Sequence, residues 1–289
     1  MRVTLIQAPY ALGRTGVEVA AGPIKIVEAG AAEALREAGH EVEVEVVETG
    51  EEGGSEEAYW NEIEGTFEVV RRVANRVKEA VERGSLPVVL AGNCFNSIGV
   101  VAGGSTDVGV VWFDAHGDFS TPETTLSGFL DGMGLSVLTG TGWDALRETV
   151  PGYRVVSERN VVLVGVRDTD PDEDRRLEGS EISVVPPTEL GDGLDAGLNA
   201  LRGRIADVYL HLDLDVLDAS EGRVNLYAAE GGPSVEEVAS AIRAVGERFR
   251  IRAGAVTAYD PGADPEGRVP PIAISLLVQI AEAAAGEER

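Results

Sequence analysis

The stretch VVWFDAHGDFSTPETTLSG, residues 110–128, runs from apolar residues into acids placed around a single histidine. The chain has only three histidines, and one of them sits between Asp114 and Asp118. Its approach, DVGVVWFD (107–114), is almost continuously apolar, the habit of a parallel strand covered on both faces. Side chains alternate along a strand, so Asp114, His116 and Asp118 share one face if the extended geometry persists. The pattern recurs in ADVYLHLDLD (206–215), with His211, Asp213 and Asp215. Both clusters fall at the carboxyl ends of apolar strands, where open α/β sheets place their ligands. Aspartates crowded there need a positive partner, because buried charge without one is strongly unfavourable. A divalent cation supplies it, and mixed carboxylate and imidazole donors suit Mn2+, with Zn2+ and Fe2+ as alternatives. A hydrogen-bonded loop start would account for either motif by itself. Two such motifs with no lysine beside them favour metal. His211, inside a strand, reads as a satisfied core residue and is left out of the ligand set. His40, in the turn EAGHEVE, reads as solvated.

Working outward, strand patterns at 2–7, 41–47, 86–92, 107–114, 160–166, 206–215 and 252–260 alternate with helical periodicity at 23–39, 58–84, 234–249 and 271–286. Ser234 with Glu237 three residues on makes a capping box. Residues 48–57 and 221–232 read as loops. The alternation predicts an α/β fold, a parallel sheet with helices on both sides. No linker or repeat divides the 289 residues, which read as a single domain, 1–289. Fifty acids against 24 bases give a net charge of -26, which repels nucleic acid and anionic lipid. One cysteine, Cys94, excludes an intrachain disulfide. With no apolar leader or span, the expected location is cytoplasmic.

At this point the motifs resemble the ureohydrolase superfamily, the arginase, agmatinase and formiminoglutamase group. APYALGRTGVEVAAGPIKIVEAG resembles its N-terminal segment, FDAHGDFSTPETTLSGFLDGM and LHLDLDVLD its two metal signatures, and GVRDTDPDE (165–173) a segment facing the substrate's α-amino group. The resemblance implies a three-layer α/β/α fold with a mostly parallel eight-stranded sheet and two Mn2+ per chain. It also implies a homo-oligomer, trimer or hexamer, acting on a small guanidino compound. The activity implied is hydrolysis of a linear C–N bond by water activated between two metal ions, with release of urea or a substituted urea.

Carried over by position, the ligands are Asp114, His116, Asp118, Asp213 and Asp215. The sixth, usually histidine, is Cys94 in AGNCFNS. Cys94 is either a ligand that softens the site towards Zn2+ or Fe2+, or an unligated core residue. Cysteine here also resembles a subgroup of the family that includes an Nω-hydroxyarginine hydrolase. Asp118 is placed to return a proton to the departing amine. Asp131 stands where a proton-shuttling histidine is expected; an aspartate needs burial or an anionic neighbour to serve as acid, and could instead hold a cationic group of the substrate. Ala258 stands where a glutamate would grip the guanidinium, with Asp260, Glu230 and Asn225 as candidates to replace it. Ser120, Thr125 and Ser127 fall at α-carboxylate contacts, and Asp170 and Glu173 at α-amino contacts, which favours an arginine-like substrate. Turn and capping chemistry is the plainer reading of the same residues. Nω-hydroxyarginine, agmatine, guanidinobutyrate and formiminoglutamate are alternatives, as is a metal-binding but catalytically idle homologue. A binuclear phosphoesterase would need more histidines, and a mononuclear zinc deacylase lacks the second Asp-x-Asp.

Overall fold

The computed structural model describes residues 1–49, 58–104 and 107–286. Most of the acidic loop expected at 48–57 lies outside the described residues. Eight strands, β1 (Arg2–Ala8), β2 (Glu41–Val46), β3 (Leu86–Ala91), β4 (Gly109–Phe113), β5 (Val161–Val164), β6 (Ser183–Val185), β7 (Asp207–Asp213) and β8 (Arg250–Thr257), form one sheet. Its order is β2-β1-β3-β8-β7-β4-β5-β6, and every pairing is parallel.

Alternation along the central strands splits the core into two apolar layers. Leu5, Leu90, Val111, Phe113 and Leu212 face one side with Ile26, Leu35, Ile242 and Leu277. These helical residues come from α1 (Gly22–Glu28), α2 (Ala31–Glu37), α9 (Val235–Gly246) and α10 (Val269–Ala285). Ile6, Val89, Val110, Trp112 and Tyr209 face the other side with Val69, Val73 and Val77 of α3 (Ala58–Glu82) and Val100 of α4 (Ser97–Gly104). In α3, Ile63, Phe67, Val70, Ala74 and Val77 are buried and recur every three or four residues, the spacing of one helix face. This is the three-layer arrangement the sequence implied.

The structure departs from the sequence reading at identifiable points. The helix expected over 23–39 is two, because Gly30 takes φ +104° between α1 and α2. The strand expected over 206–215 ends at Asp213, and residues 214–216 turn into a short 3-10 segment. Strand β6 and helices α4, α5 (Gly134–Leu138), α6 (Asp144–Arg147), α7 (Pro171–Glu178) and α8 (Asp192–Arg202) carried too weak a pattern to be read. His40 is buried, and neither ring nitrogen has a hydrogen-bond partner. Burial lowers its pKa, contrary to the solvated reading.

Ser234 caps α9 as expected: Glu237 N donates to Ser234 Oγ and Ser234 N donates to Glu237 Oε2. Ser234→Ala is expected to cost about 1 kcal/mol of stability, measurable by urea denaturation.

Candidate metal centre

Strand order brings the two acidic motifs together. β4 and β7 are neighbours, with Phe113 in register with Leu212, so Asp114 and Asp213 leave the sheet side by side. β8 lies on the other flank of β7 with Thr257 opposite Asp213, and β3 follows with Ala91 opposite Thr257. Cys94, three residues beyond β3, therefore reaches the same place. Its Sγ donates to Asp213 Oδ2 at 2.7 Å, lies 3.2 Å from Thr257 Oγ1 and is 4.0 Å from Asp114 Oδ2.

Two groups of donor atoms result, each within 4.8 Å of one another: Cys94, Asp114, His211 and Asp213, and then Asp114, His116 and Asp215. Asp114 belongs to both. Asp118 belongs to neither group, and it comes within electrostatic reach of them by a route the alternation argument did not foresee. The strand ends at Phe113, and Asp118 adopts a left-handed backbone with φ +46°. Its Oδ2 is buried with no hydrogen-bond partner, and its charge interacts with Asp114, Asp131 and Asp213.

Electrostatics show why the cluster wants a cation. Burial pushes Asp114, Asp118 and Asp213 up from the ordinary carboxylate range, and neighbouring acids add to it. Burial and the same acids raise the Cys94 thiol. His116 is the local counter-charge. Burial opposes its protonation, but Asp114 Oδ1 at 3.2 Å and Asp215 Oδ2 at 3.5 Å hold its pKa far above normal. Asp215, although buried, is held down at about 2 by His116 and by the Asn225 amide, which donates at 3.1 Å. One imidazolium cannot balance so many carboxyls. A divalent ion would, and the partnerless Asp118 oxygen offers it a donor. The set is mostly hard oxygen with two imidazoles and one thiol, which fits the Mn2+ expected from the resemblance and admits softer ions.

The surroundings fix these donors. Trp112 Nε1 donates to Asp114 Oδ2 at 3.0 Å. His211, fully buried and stacked on Trp112 with ring centroids 3.7 Å apart, has Nδ1 within 2.8 Å of Ser97 Oγ and 2.9 Å of the Tyr209 hydroxyl. Burial lowers its pKa to about 3, so it is neutral. Its Nδ1 is engaged as the core reading expected, yet the ring is close enough to count among the donors.

Arg167 was not read as functional, although it lies in GVRDTDPDE. Its guanidinium donates to the carbonyls of Gly165, Asp215, Val216, Leu217, Ala229 and Glu230. Its own N–H, with that of Asp168, binds Ala115 O. The side chain ties the loop after β5 to the segments after β7, and the residue's backbone adds the loop after β4. Such a fork does not survive exchange for an ammonium. Arg167→Lys is expected to cost about 2 kcal/mol, read by thermal melting of the metal-free protein.

The remaining candidates divide. Asp131 Oδ1 accepts from Phe95 N at 3.0 Å, and burial among acids raises its pKa to about 7, meeting the condition for an acid at neutral pH. Ser120 is partly buried, its N–H bonded to Gly132 O. Thr125 Oγ1 accepts from Gly128 N and Ser127 Oγ from Phe129 N, so both hydroxyls brace their own loop. Asp170 caps α7, accepting from Asp172 N and Glu173 N. Glu173 is buried and accepts from Phe119 N at 2.8 Å. Ala258 is buried with φ +66°, its carbonyl bonded to the Asn225 amide.

Burial raises Glu173 to about 7. Its folded pKa exceeds its unfolded value, so the associated stability is present below the unfolded pKa and lost as pH rises through about 7. The loss accrues at about 1.4 kcal/mol per pH unit between those values. Glu173→Gln should therefore raise the melting temperature at pH 8 more than at pH 5.

An α/β/α sandwich with an acid-rich pocket of imidazole and thiol donors at the carboxyl edge of its sheet defines a metal-dependent hydrolase class. Comparison narrows it. The arginase family profile matches residues 1–282, and the chain belongs to the arginase family. It is a hydrolase of the ureohydrolase type. The arginase of Bacillus caldovelox is 29% identical over 290 residues, covering 95% of this chain and 96% of that protein. That of Bacillus subtilis strain 168 is 28% identical with the same coverage. The native structure of the Bacillus caldovelox arginase superposes with a TM-score of 0.88 at 27% identity, over 96% of this chain and 97% of that one. Formimidoylglutamase from Bacillus subtilis, with a TM-score of 0.76 at 14% identity over 98% of this chain and 87% of that one, shares the fold.

Proposed function

We propose that the protein hydrolyses a linear C–N bond of a small guanidino or amidino compound, with arginine as the reference substrate, using two divalent ions held by Cys94, Asp114, His116, Asp118, Asp213 and Asp215. The observation that carries this is the pair of donor groups sharing Asp114, with the buried Asp118 oxygen unpartnered beside them. When bound, the ions, taken as Mn2+, would supply the Lewis acidity that makes water nucleophilic near neutral pH. The chain's residues do the rest. Trp112, Asn225 and the Arg167 fork orient the ligand carboxylates. Asp118 passes a proton to the departing amine. Asp131, bonded through Oδ1 to Phe95 N, can hold a second proton on Oδ2 at neutral pH. Cys94, which touches Asp213 directly, is assigned as a ligand and not as a bystander.

The test has two parts. The Mn-loaded protein is incubated with arginine, Nω-hydroxyarginine, agmatine, guanidinobutyrate and formiminoglutamate. Urea, or the corresponding amide product, is expected from at least one of them. Silence across the panel from fully metallated protein would favour the idle homologue. Elemental analysis of native protein and Cys94→His is expected to show a changed metal identity or content; identical values would remove Cys94 from the ligand set. A homo-oligomeric assembly and a cytoplasmic location are further expectations of the family reading. Among the described residues no helix is long and apolar enough to cross a membrane.

A further inference from the structure

Four large apolar side chains lie exposed on the two loops that follow the acidic motifs. Leu126 (77% exposed) and Phe129 (39%) belong to the loop after Asp118, and Leu226 (70%) and Tyr227 (56%) to the loop after Asp215. The two aromatic rings meet across the loops, with centroids 5.7 Å apart and planes at 40°. Exposed apolar residues scattered singly are ordinary, whereas a contiguous aromatic contact on the surface marks recognition.

Their place in the chain of contacts ties them to the donor cluster. Tyr227 N donates to Asn225 Oδ1 at 2.8 Å, and the amide of Asn225 donates to Asp215 Oδ2. Phe129 is two residues from Asp131, whose carboxyl holds the backbone beside Cys94. Several polar groups in and around these loops already hold backbone. Thr125 and Ser127 accept from their own loop, Asp170 and Glu173 accept from backbone N–H groups, and Arg167 is committed to six carbonyls. Arg176, which reaches Phe119 O, lies over the Phe119 ring. The Thr125 and Ser127 hydroxyls can still donate and the second Asp170 oxygen can still accept, so what distinguishes this entrance is the exposed hydrocarbon of the two loops.

We propose that Leu126, Phe129, Leu226 and Tyr227 form an apolar subsite for the non-reacting end of the substrate, favouring an aryl or alkyl substituent on the guanidine over a zwitterionic amino-acid end. The inference rests on the hydrolytic reading above and narrows its substrate class. The reaction balances as water plus an N-substituted guanidinium giving urea and the corresponding primary ammonium.

The test compares N-(2-phenylethyl)guanidine with agmatine and arginine on the Mn-loaded protein, with urea as the readout. The phenylethyl compound is expected to have the highest kcat/KM, by about tenfold or more, the scale on which an apolar pocket discriminates. Tyr227→Ser and Phe129→Ser should shrink that preference about tenfold, while Tyr227→Leu, which keeps apolar area, should retain most of it. Metal content and melting temperature of each variant control for folding. Urea released from arginine or agmatine with higher kcat/KM, at a ratio the variants do not move, would overturn the subsite and leave the hydrolase reading standing. No urea from the three compounds would overturn the subsite, and no product from the wider panel above, with two ions bound, would overturn the hydrolase reading as well.

Discussion

Asp213→Asn is expected to leave the fold intact, remove one of the two proposed ions and lower urea release by at least about a thousandfold. The exchange is nearly isosteric. Asp213 Oδ1 accepts from Asp215 N at 2.8 Å, and an asparagine oxygen would still do so. What disappears is the charge on Oδ2, the atom that meets Cys94 Sγ and Thr257 Oγ1. In the metal-free protein that charge is a burden, since burial and the adjacent acids push the Asp213 pKa well above its ordinary value. The folded pKa is raised, so metal-free stability falls as pH rises. The variant, lacking the group, should melt at or above the wild-type temperature at pH 8 without metal, and below it with Mn2+. Elemental analysis with paired melting curves checks both. Equal metal content in the two proteins would remove Asp213 from the ligand set.

Trp112→Ala should be the most destabilising single change, costing about 3–5 kcal/mol. Trp112 is the largest fully buried side chain among the described residues and sits in β4, an interior strand of the sheet. Truncation opens a cavity, leaves one face of His211 without its stacked neighbour and strips Asp114 Oδ2 of its indole donor. Trp112→Phe separates these effects. It fills most of the volume but cannot donate, so its cost should fall to about 1–3 kcal/mol, with metal affinity lost beyond that. Denaturant titration of the metal-free variants gives the first quantity and calorimetric Mn2+ titration the second.

The strong periodicities identified most of the fold. Strands β1, β3, β4, β7 and β8 are apolar because helices cover both faces, and that composition is visible locally. Helix α3 shows its buried stripe in the same way. What escaped notice lacks a local signal. SIGVVAGG of α4 is so uniformly apolar that no helical face stands out, and PDEDRRLE of α7 buries Leu177 as its one apolar residue, beside Glu173. The break at Gly30 was readable in principle, since glycine is the residue that takes positive φ cheaply.

Within the site, Asp114, His116, Asp213 and Asp215 could be placed from spacing and strand ends. The family resemblance was needed for Cys94, because its segment reaches the centre only through the order β3-β8-β7. Asp118 was picked for an extended geometry that the chain abandons at Phe113. Arg167 was missed for a different reason. A guanidinium that serves six backbone carbonyls leaves no trace in side-chain pattern, because its partners are atoms every residue carries.

Asp114 and Asp213 stand shoulder to shoulder although roughly a hundred residues separate them along the chain, so their meeting requires the closure of a long loop and a late, non-local pairing. A growing polypeptide therefore has no complete ion pocket until synthesis has passed β7 and the middle of the sheet has zipped. Metal capture would then mark the end of folding, and would hold the finished molecule in place as an added ligand holds any native state.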